Sequence, residues 1–258
     1  MSATPLTIKL GGVAGEHRSS LEVIAADAPP GTVVVHGGGR EVADWSRRLG
    51  HEPRYHDGRR VTDPATLEVA AAVLGGLINA RLVAAFEALG RPAVGLGLAD
   101  GGTVRLERAD PRLGEVGHPV EARAGLLDLL TGAGLLPVVS SIGSDGEGRL
   151  LNVNADEAAG AIAAERGGVL LLLSDVPGVM RRGQVLPELG PEAAEAMLAE
   201  GSASDGMFPK LTAALRAARA GCMVRILDGR SAEAVAAAIA GRSAGTLVTS
   251  PTAQEVAR

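Results

Sequence analysis

Seven short runs of aliphatic residues recur along the chain, and longer segments rich in alanine and leucine lie between them. The runs are PLTIKL (5–10), TVVVH (32–36), AVGLGL (93–98), LPVVSSI (136–142), VLLLLS (169–174), MVRIL (223–227) and TLVT (246–249). Several are apolar throughout rather than alternating. Such a strand is covered on both faces, as in a parallel sheet packed between helices. The intervening segments read as helices over 18–27, 40–49, 64–74, 76–89, 121–132, 155–166, 191–200, 209–220 and 231–240. Asp63-Pro64 and Gly190-Pro191 put proline where a helix can begin. The expected fold is an αβα sandwich on a mainly parallel sheet. TVRLER (103–108) and RRGQV (181–185) read as small hairpins added to it.

Aromatic residues make up only 2% of the chain against 46% hydrophobic, so the core must be aliphatic. No repeat or low-complexity linker interrupts the pattern. SSIGSDGEGR (140–149) is the best hinge candidate between an N-terminal lobe, about 1–150, and a C-terminal lobe, about 151–258, of one domain. PTAQEVAR reads as a frayed tail.

Several function classes fall away. The net charge is −5 with acids and bases interspersed, so no basic face marks a nucleic-acid partner. The single cysteine, Cys222, excludes an intrachain disulfide framework and reads as a buried small hydrophobe. The N-terminus lacks the pattern of a signal peptide, and no uninterrupted apolar run reaches the roughly 18–20 residues of a membrane span. A reduced, soluble, cytoplasmic protein is expected.

The positive charges are more informative. Of 25 basic residues 23 are arginine, and only Lys9 and Lys210 are lysine. Lys9 sits inside the apolar run PLTIKL, where a charge needs compensation. Lys210 follows Pro209 near a helix start, where the helix dipole disfavours a cation. A bound polyphosphate relieves both. Lysine is a compact point charge and arginine a wide planar fork, so a narrow site reaching one phosphoryl oxygen accepts the first and excludes the second.

Ligands of open α/β sheets bind beyond the carboxyl ends of the strands. There the chain places Gly11-Gly12, HGGGR (36–40), DVPGVM (175–180) and SASDGMFPK (202–210). Glycines permit close backbone approach, and amides at a helix start favour anions. Walker A is excluded because the lysines follow Ile8 and Pro209, and GLGLAD (95–100) lacks the third glycine of a dinucleotide fingerprint. GRSAG (241–245) matches G-x-S-x-G, but no histidine follows Ser243, so no hydrolase triad can be built. Asn152, Asn154 and Asp156 gather at a strand-to-helix junction. Asn154 or Asp156 suits a helix cap, and Asp156 equally suits an orienter of the two lysines. Asp175 fits a residue facing Mg²⁺ or nucleotide as well as a turn cap. Arg60, before a proline-started helix, suits bidentate carboxylate binding. The histidines show no metal-ligand spacing, and His36 reads as a packed strand-end residue rather than a base.

In this order IKLGG, VVVHGGGREV, GRRVTD, the stretch from LPVVSSIGSDGEGR to NVNADEAAGAIAAERG, LLLLSDVPGV and SDGMFPKLTAALRAARAG resemble the acetylglutamate kinases of the amino acid kinase superfamily, from about residue 5 to 249. The resemblance implies an αβα sandwich on an eight-stranded, mainly parallel sheet. It implies phosphoryl transfer from Mg-ATP to the side-chain carboxylate of N-acetyl-L-glutamate, in arginine biosynthesis. By the same resemblance Lys9 and Lys210 stabilise the transition state and Asp156 organises them. Gly38, Gly39, Arg60 and Asn152 would bind the acetylated amino acid. Gly11, Gly12, Asp175, Val176, Pro177, Gly178, Val179, Met180, Ser202, Ala203 and Ser204 would line the nucleotide site. No residue is expected to bind metal directly. Arginine-inhibited members carry an N-terminal helix that links dimers into a hexamer. Here the Lys9 strand begins almost at the N-terminus, so a homodimer with weak or no arginine feedback is expected. The rival readings are a kinase of a carrier-protein-linked aminoadipate or glutamate, and a catalytically silent amino-acid sensor.

Overall fold

A computed structural model describes residues 4–11, 18–56, 59–201 and 206–249. The central sheet has eight strands: β1 (Leu6–Leu10), β2 (Thr32–His36), β3 (Ala93–Leu96), β4 (Leu136–Ser140), β5 (Val169–Ser174), β6 (Glu188–Leu189), β7 (Met223–Asp228) and β8 (Thr246–Val248). Their order is β6-β8-β7-β5-β1-β2-β4-β3. All neighbours pair in parallel except β7 with β8. The expected mainly parallel, eight-stranded sandwich is therefore what forms. Glu188–Leu189 was the strand invisible in the sequence, because two residues carry no periodicity.

Helices cover both faces. One core holds α1 (Arg18–Asp27), α2 (Gly39–Arg48), α3 (Pro64–Ala70), α4 (Asn79–Ala88) and α9 (Ala232–Ile239), through residues such as Ile24, Val42, Leu74, Phe86 and Val235. The other holds α5 (Gly125–Gly132), α6 (Ala155–Arg166), α7 (Pro191–Ala199) and α8 (Phe208–Arg219), through Leu127, Ile162, Ala194 and Leu211. The strands divide residue by residue between the two. In β1, Leu6, Ile8 and Leu10 enter the first core. Thr7 and Lys9, one residue out of step, take the opposite face, where α6 lies.

Two features depart from the sequence reading. The segments at 64–74 and 76–89 form one continuous helix, Pro64–Ala88, because Ala71–Ile78 bridges them as a π-helical segment across Gly75-Gly76. By length and composition this helix could cross a membrane; its face of Val69, Val73, Leu74, Ile78, Leu82 and Phe86 is instead buried in the core. SSIGSDGEGR, expected as a hinge, belongs to an antiparallel hairpin of Ile142–Ser144 with Leu150–Val153. That hairpin joins Val104–Arg108 and Val116–Ala122 in a separate four-stranded sheet. Cys222 is buried, as expected, with its Sγ against the carbonyl of Ala163.

Candidate active site

The chain passes from β1 to β2, β3 and β4 on one side of β1, while β5 to β8 lie on the other. Such a switch point opens a crevice beyond the carboxyl ends of the central strands. A cleft of about 1270 Å³ lies at these strand ends, lined by Lys9, Gly11, Gly38, Gly39, Arg60, Asn152, Asp156, Asp175 and Lys210.

At its floor is one buried carboxylate between two ammonium groups. Lys9 Nζ lies 2.9 Å from Asp156 Oδ1, and Lys210 Nζ lies 3.3 Å from Asp156 Oδ2. Lys9 is 6% exposed and Asp156 3%. Three elements far apart in sequence deliver these groups. β1 presents Lys9, and Asp156 stands in the first turn of α6. Lys210 stands in the first turn of α8, with Pro209 at its start. The α6 start is capped by Asn154, whose side chain accepts from the N–H groups of Asp156 at 2.8 Å and Glu157 at 3.3 Å. So Asn154 is the cap, and Asp156 is left to face the lysines. The helices approach closely because Gly160 has no side chain; a Cβ there would lie 2.9 Å from the carbonyl oxygen of Ala213.

The electrostatics are mutual. Burial drives the Lys9 pKa below its ordinary value, with Asp156 opposing and Lys210 adding to the fall. Burial opposes ionisation of Asp156, yet the two ammonium groups outweigh it and hold the carboxyl below the usual carboxylate range. Lys210 also donates to the Gly206 carbonyl at 3.1 Å.

Gly11 is where the floor leaves no room. A Cβ at Gly11 would sit 2.4 Å from the Leu173 carbonyl oxygen and 3.2 Å from Lys9 Nζ. A backbone oxygen in the central strand β5 cannot move aside. Gly11→Ala should therefore displace the Lys9 ammonium and lower both turnover and stability, the latter by about 1–3 kcal/mol. Unchanged kinetics in that variant would show that the turn does not set the position of Lys9.

The other half of the cleft is built by a hairpin. Arg54–His56 pairs with Arg59–Val61 and carries Tyr55 and Arg60 beside the glycine turn. One terminal nitrogen of Arg60 donates to the Gly39 carbonyl at 2.7 Å and to the Tyr55 hydroxyl at 3.1 Å. Its guanidinium also lies 5.2 Å from the Tyr55 ring centre. The other terminal nitrogen, Nη1, is buried with no protein acceptor. A guanidinium held on one side and unpaired on the other has the shape and charge to pair with a carboxylate. Asn152 lines the same half and donates to Thr62 Oγ1 at 3.1 Å. Gly38 packs under the π-helical segment; a Cβ there would fall 2.1 Å from Ile78 Cδ1.

The remaining expected residues divide. Asp175 follows β5 and lines the cleft, accepting from the Ser174 hydroxyl at 3.3 Å. Val179 is fully buried: its side chain packs in the core, its N–H donates to Thr246 Oγ1 and its carbonyl accepts from the Leu186 N–H. Val176 packs partly against the core, and Met180 is exposed in a two-strand hairpin. Gly12, Ser202, Ala203 and Ser204 lie outside the described residues.

One pair escaped the sequence reading. Arg59, to which the sequence reading gave no role, pairs with Glu157 at 2.9 Å and ties the hairpin to the start of α6. Burial raises the Glu157 pKa, with Arg59 opposing. Only the fold could show this, since 98 residues separate the two. A double-mutant cycle of Arg59→Ala and Glu157→Ala should return a coupling of about 1 kcal/mol, with acceptor KM raised more than kcat is lowered. Strict additivity would mean that the hairpin is held without this pair.

Residues 8–228 match the amino acid kinase family. Acetylglutamate kinase of Rubrobacter xylanophilus is 43% identical over 246 residues, spanning 94% of this chain and 96% of that protein. The Serratia proteamaculans acetylglutamate kinase is 42% identical over 253 residues, with 95% and 98% coverage. The chain belongs to the amino acid kinase family. It is a kinase. Among solved structures, N-acetylglutamate synthase from Neisseria gonorrhoeae superposes with a TM-score of 0.80 at 21% identity, covering 96% of this chain and 60% of that one. Giardia carbamate kinase superposes at 0.63 and 16%. At such identities these two speak for the fold alone, and they agree with the family's α/β sandwich.

Proposed function

We propose that this kinase transfers the γ-phosphoryl group of ATP to the side-chain carboxylate of N-acetyl-L-glutamate, giving N-acetyl-L-glutamyl 5-phosphate, the second step of arginine biosynthesis. The observation that carries the reading is Asp156 bridging Lys9 and Lys210 at the floor of a cleft whose other half holds the unpaired face of Arg60. The relatives above supply the acceptor's identity.

The residues support this chemistry step by step. A carboxylate acceptor, with a reference pKa of about 4, is already ionised at neutral pH and needs no general base. His36, the histidine at the end of β2, fits that economy: burial drives its pKa to about 4, and both ring nitrogens face protein groups. What remains is positioning and charge stabilisation. Arg60 and Asn152 orient the acceptor through its other carboxylate. Lys9 and Lys210 meet the negative charge of the moving phosphoryl group, and Asp156, between them, favours the protonated form of Lys9. Gly11 and Asp175 flank the nucleotide's phosphates.

Mg²⁺ would neutralise phosphate charge. Among the described residues no three His, Cys, Asp or Glu side chains gather to hold a metal, and Asp156 is committed to two lysines. The donor set suits an ion carried mainly by the nucleotide. We assign the acceptor to the N-terminal lobe, the nucleotide to the C-terminal lobe, and a homodimer as the assembly; a monomer mass by light scattering would remove the last.

Hydroxylamine trapping of the acyl phosphate tests the whole. With ATP, Mg²⁺ and N-acetyl-L-glutamate the enzyme should form a hydroxamate. Product only with a carrier-linked aminoadipate or glutamate would transfer the reading to that substrate. No product with any acceptor would favour a sensor.

A further inference from the structure

Behind the glycine turn sits a buried polar pair that the proposed chemistry does not use. His36 ends β2 with no solvent exposure. Its Nδ1 lies 3.0 Å from the Gly37 carbonyl oxygen, and its Nε2 lies 3.1 Å from Nδ2 of Asn79. The same Nδ2 donates to the Val138 carbonyl at 2.8 Å. An amide nitrogen has two hydrogens and accepts nothing, so one goes to Val138 and the other to Nε2. The opposite amide orientation would press two oxygens together at Val138. Nε2 is therefore the acceptor, and the imidazole proton sits on Nδ1, donated to Gly37. Burial holds His36 neutral, with a pKa of about 4.

The fold makes room for this arrangement at two points. Asn79 follows directly on the π-helical segment Ala71–Ile78, whose wider turn resets which side chains face inward. The seat of its Oδ1 exists because residue 95 is glycine; a Cβ there would lie 1.9 Å away.

The consequence falls on the turn. The Gly37 carbonyl accepts from His36, the Gly38 carbonyl from the Val42 N–H at 3.0 Å, and the Gly39 carbonyl from Arg60 at 2.7 Å. All three carbonyls accept from protein donors, and Gly38 and Gly39, at the cap and first position of α2, bring N–H groups without an intrahelical acceptor to the cleft wall. We propose that His36 and Asn79 are positioning residues for phosphoryl transfer: Asn79 fixes the proton on Nδ1 of His36, which holds the Gly37 carbonyl so that the Gly38 and Gly39 amides meet the acceptor carboxylate and the phosphoryl oxygens passing to it. This inference rests on the kinase reading above.

Two full-length variants separate positioning from stability. In His36→Asn the side-chain amide stands where Nδ1 stood and keeps a donor for Gly37, abandoning Asn79. In His36→Gln it stands nearer the Nε2 position and keeps an acceptor for Asn79, abandoning Gly37. Each loses one buried hydrogen bond, so the melting temperatures should fall together. Hydroxamate kinetics should not: His36→Asn keeps kcat/KM for N-acetyl-L-glutamate within about threefold. His36→Gln loses roughly 100-fold, the scale of a small misplacement, with nucleotide KM unchanged. Equal activity in the two variants, or a nucleotide KM that moves with the loss, overturns the proposal. Nitrogen-15 NMR of histidine-labelled wild-type enzyme gives a readout independent of turnover. The His36 signals, identified by their disappearance in either variant, should show the Nδ1–H tautomer with no titration near the ordinary histidine pKa of about 6.5. An Nε2–H tautomer or a titration there overturns the proposal whatever acceptor the kinase uses, and the expected tautomer beside a failed hydroxamate assay places the fault with the acceptor reading.

Discussion

Asp156→Asn should lose at least about 100-fold in kcat and about 3 kcal/mol in stability. The reason is the geometry at the cleft floor. One carboxylate serves two ammonium groups, at 2.9 and 3.3 Å, in a site closed to solvent on its side. Asparagine keeps the shape and removes the charge. Lys9, whose pKa burial already lowers, then loses the charge that raises it and faces Lys210 with no negative charge between them. The site responds by shedding a proton or by parting the lysines, and either outcome removes charge from the transferring group. The pH dependence has a definite sign. The folded-state pKa of Asp156 lies below its unfolded value, so its stabilising contribution is fully present above the unfolded carboxyl pKa, about 4, and is lost as pH falls through the folded value. The stability gap between wild type and variant should be widest near neutral pH and close in acid. Denaturant melts at a series of pH values and hydroxamate kinetics measure both effects. Turnover within about threefold of wild type would remove Asp156 from the centre of the mechanism.

Lys9→Arg should collapse turnover by a similar factor, about 100-fold, while the fold survives. The substitution keeps the charge and changes its shape. Lys9 reaches Asp156 from an interior strand, and its Nζ lies so near the Gly11 turn that a Cβ there would be 3.2 Å away. A planar fork that reaches the same carboxylate must displace Lys210 from it or push the Gly11 turn outward. A melting curve near wild type with lost turnover would separate this from unfolding. Near-normal turnover would mean that position 9 needs only a positive charge. Wild-type enzyme offers a second check on the same residue. Because the Lys9 pKa is lowered from its ordinary 10.5, turnover that needs its ammonium should decline with rising pH before an exposed lysine would titrate.

Much of this was legible in one dimension. Strands apolar on both faces announced a parallel sheet, and seven of its eight strands and the α-helices among the described residues followed from periodicity and proline placement. The scarcity of lysine marked Lys9 and Lys210 before their partner was placed. Local reading failed where the signal was short or relational. A two-residue strand, Glu188–Leu189, has no period to detect. The helix break expected at Gly75-Gly76 vanished because a π-helical segment absorbs the glycines while tertiary packing overrides their propensity. Val176 to Met180 looked like one loop facing a ligand, yet the fold sends Val179 into the core.

The amino-acid sequence by itself determined the layers, the aliphatic core and the residue types gathered at the strand ends, because each rests on composition or on spacing within one element. Tertiary structure alone decided which groups meet. Asp156 faces two lysines because Asn154 takes the cap and Gly160 lets α8 lie against α6. Arg59 finds Glu157 across 98 residues, and His36 finds Asn79 across 43. Charge, burial and proton position at these atoms are set by neighbours in space, and only the assembled sheet, with β1 between β5 and β2, brings those neighbours within hydrogen-bonding distance.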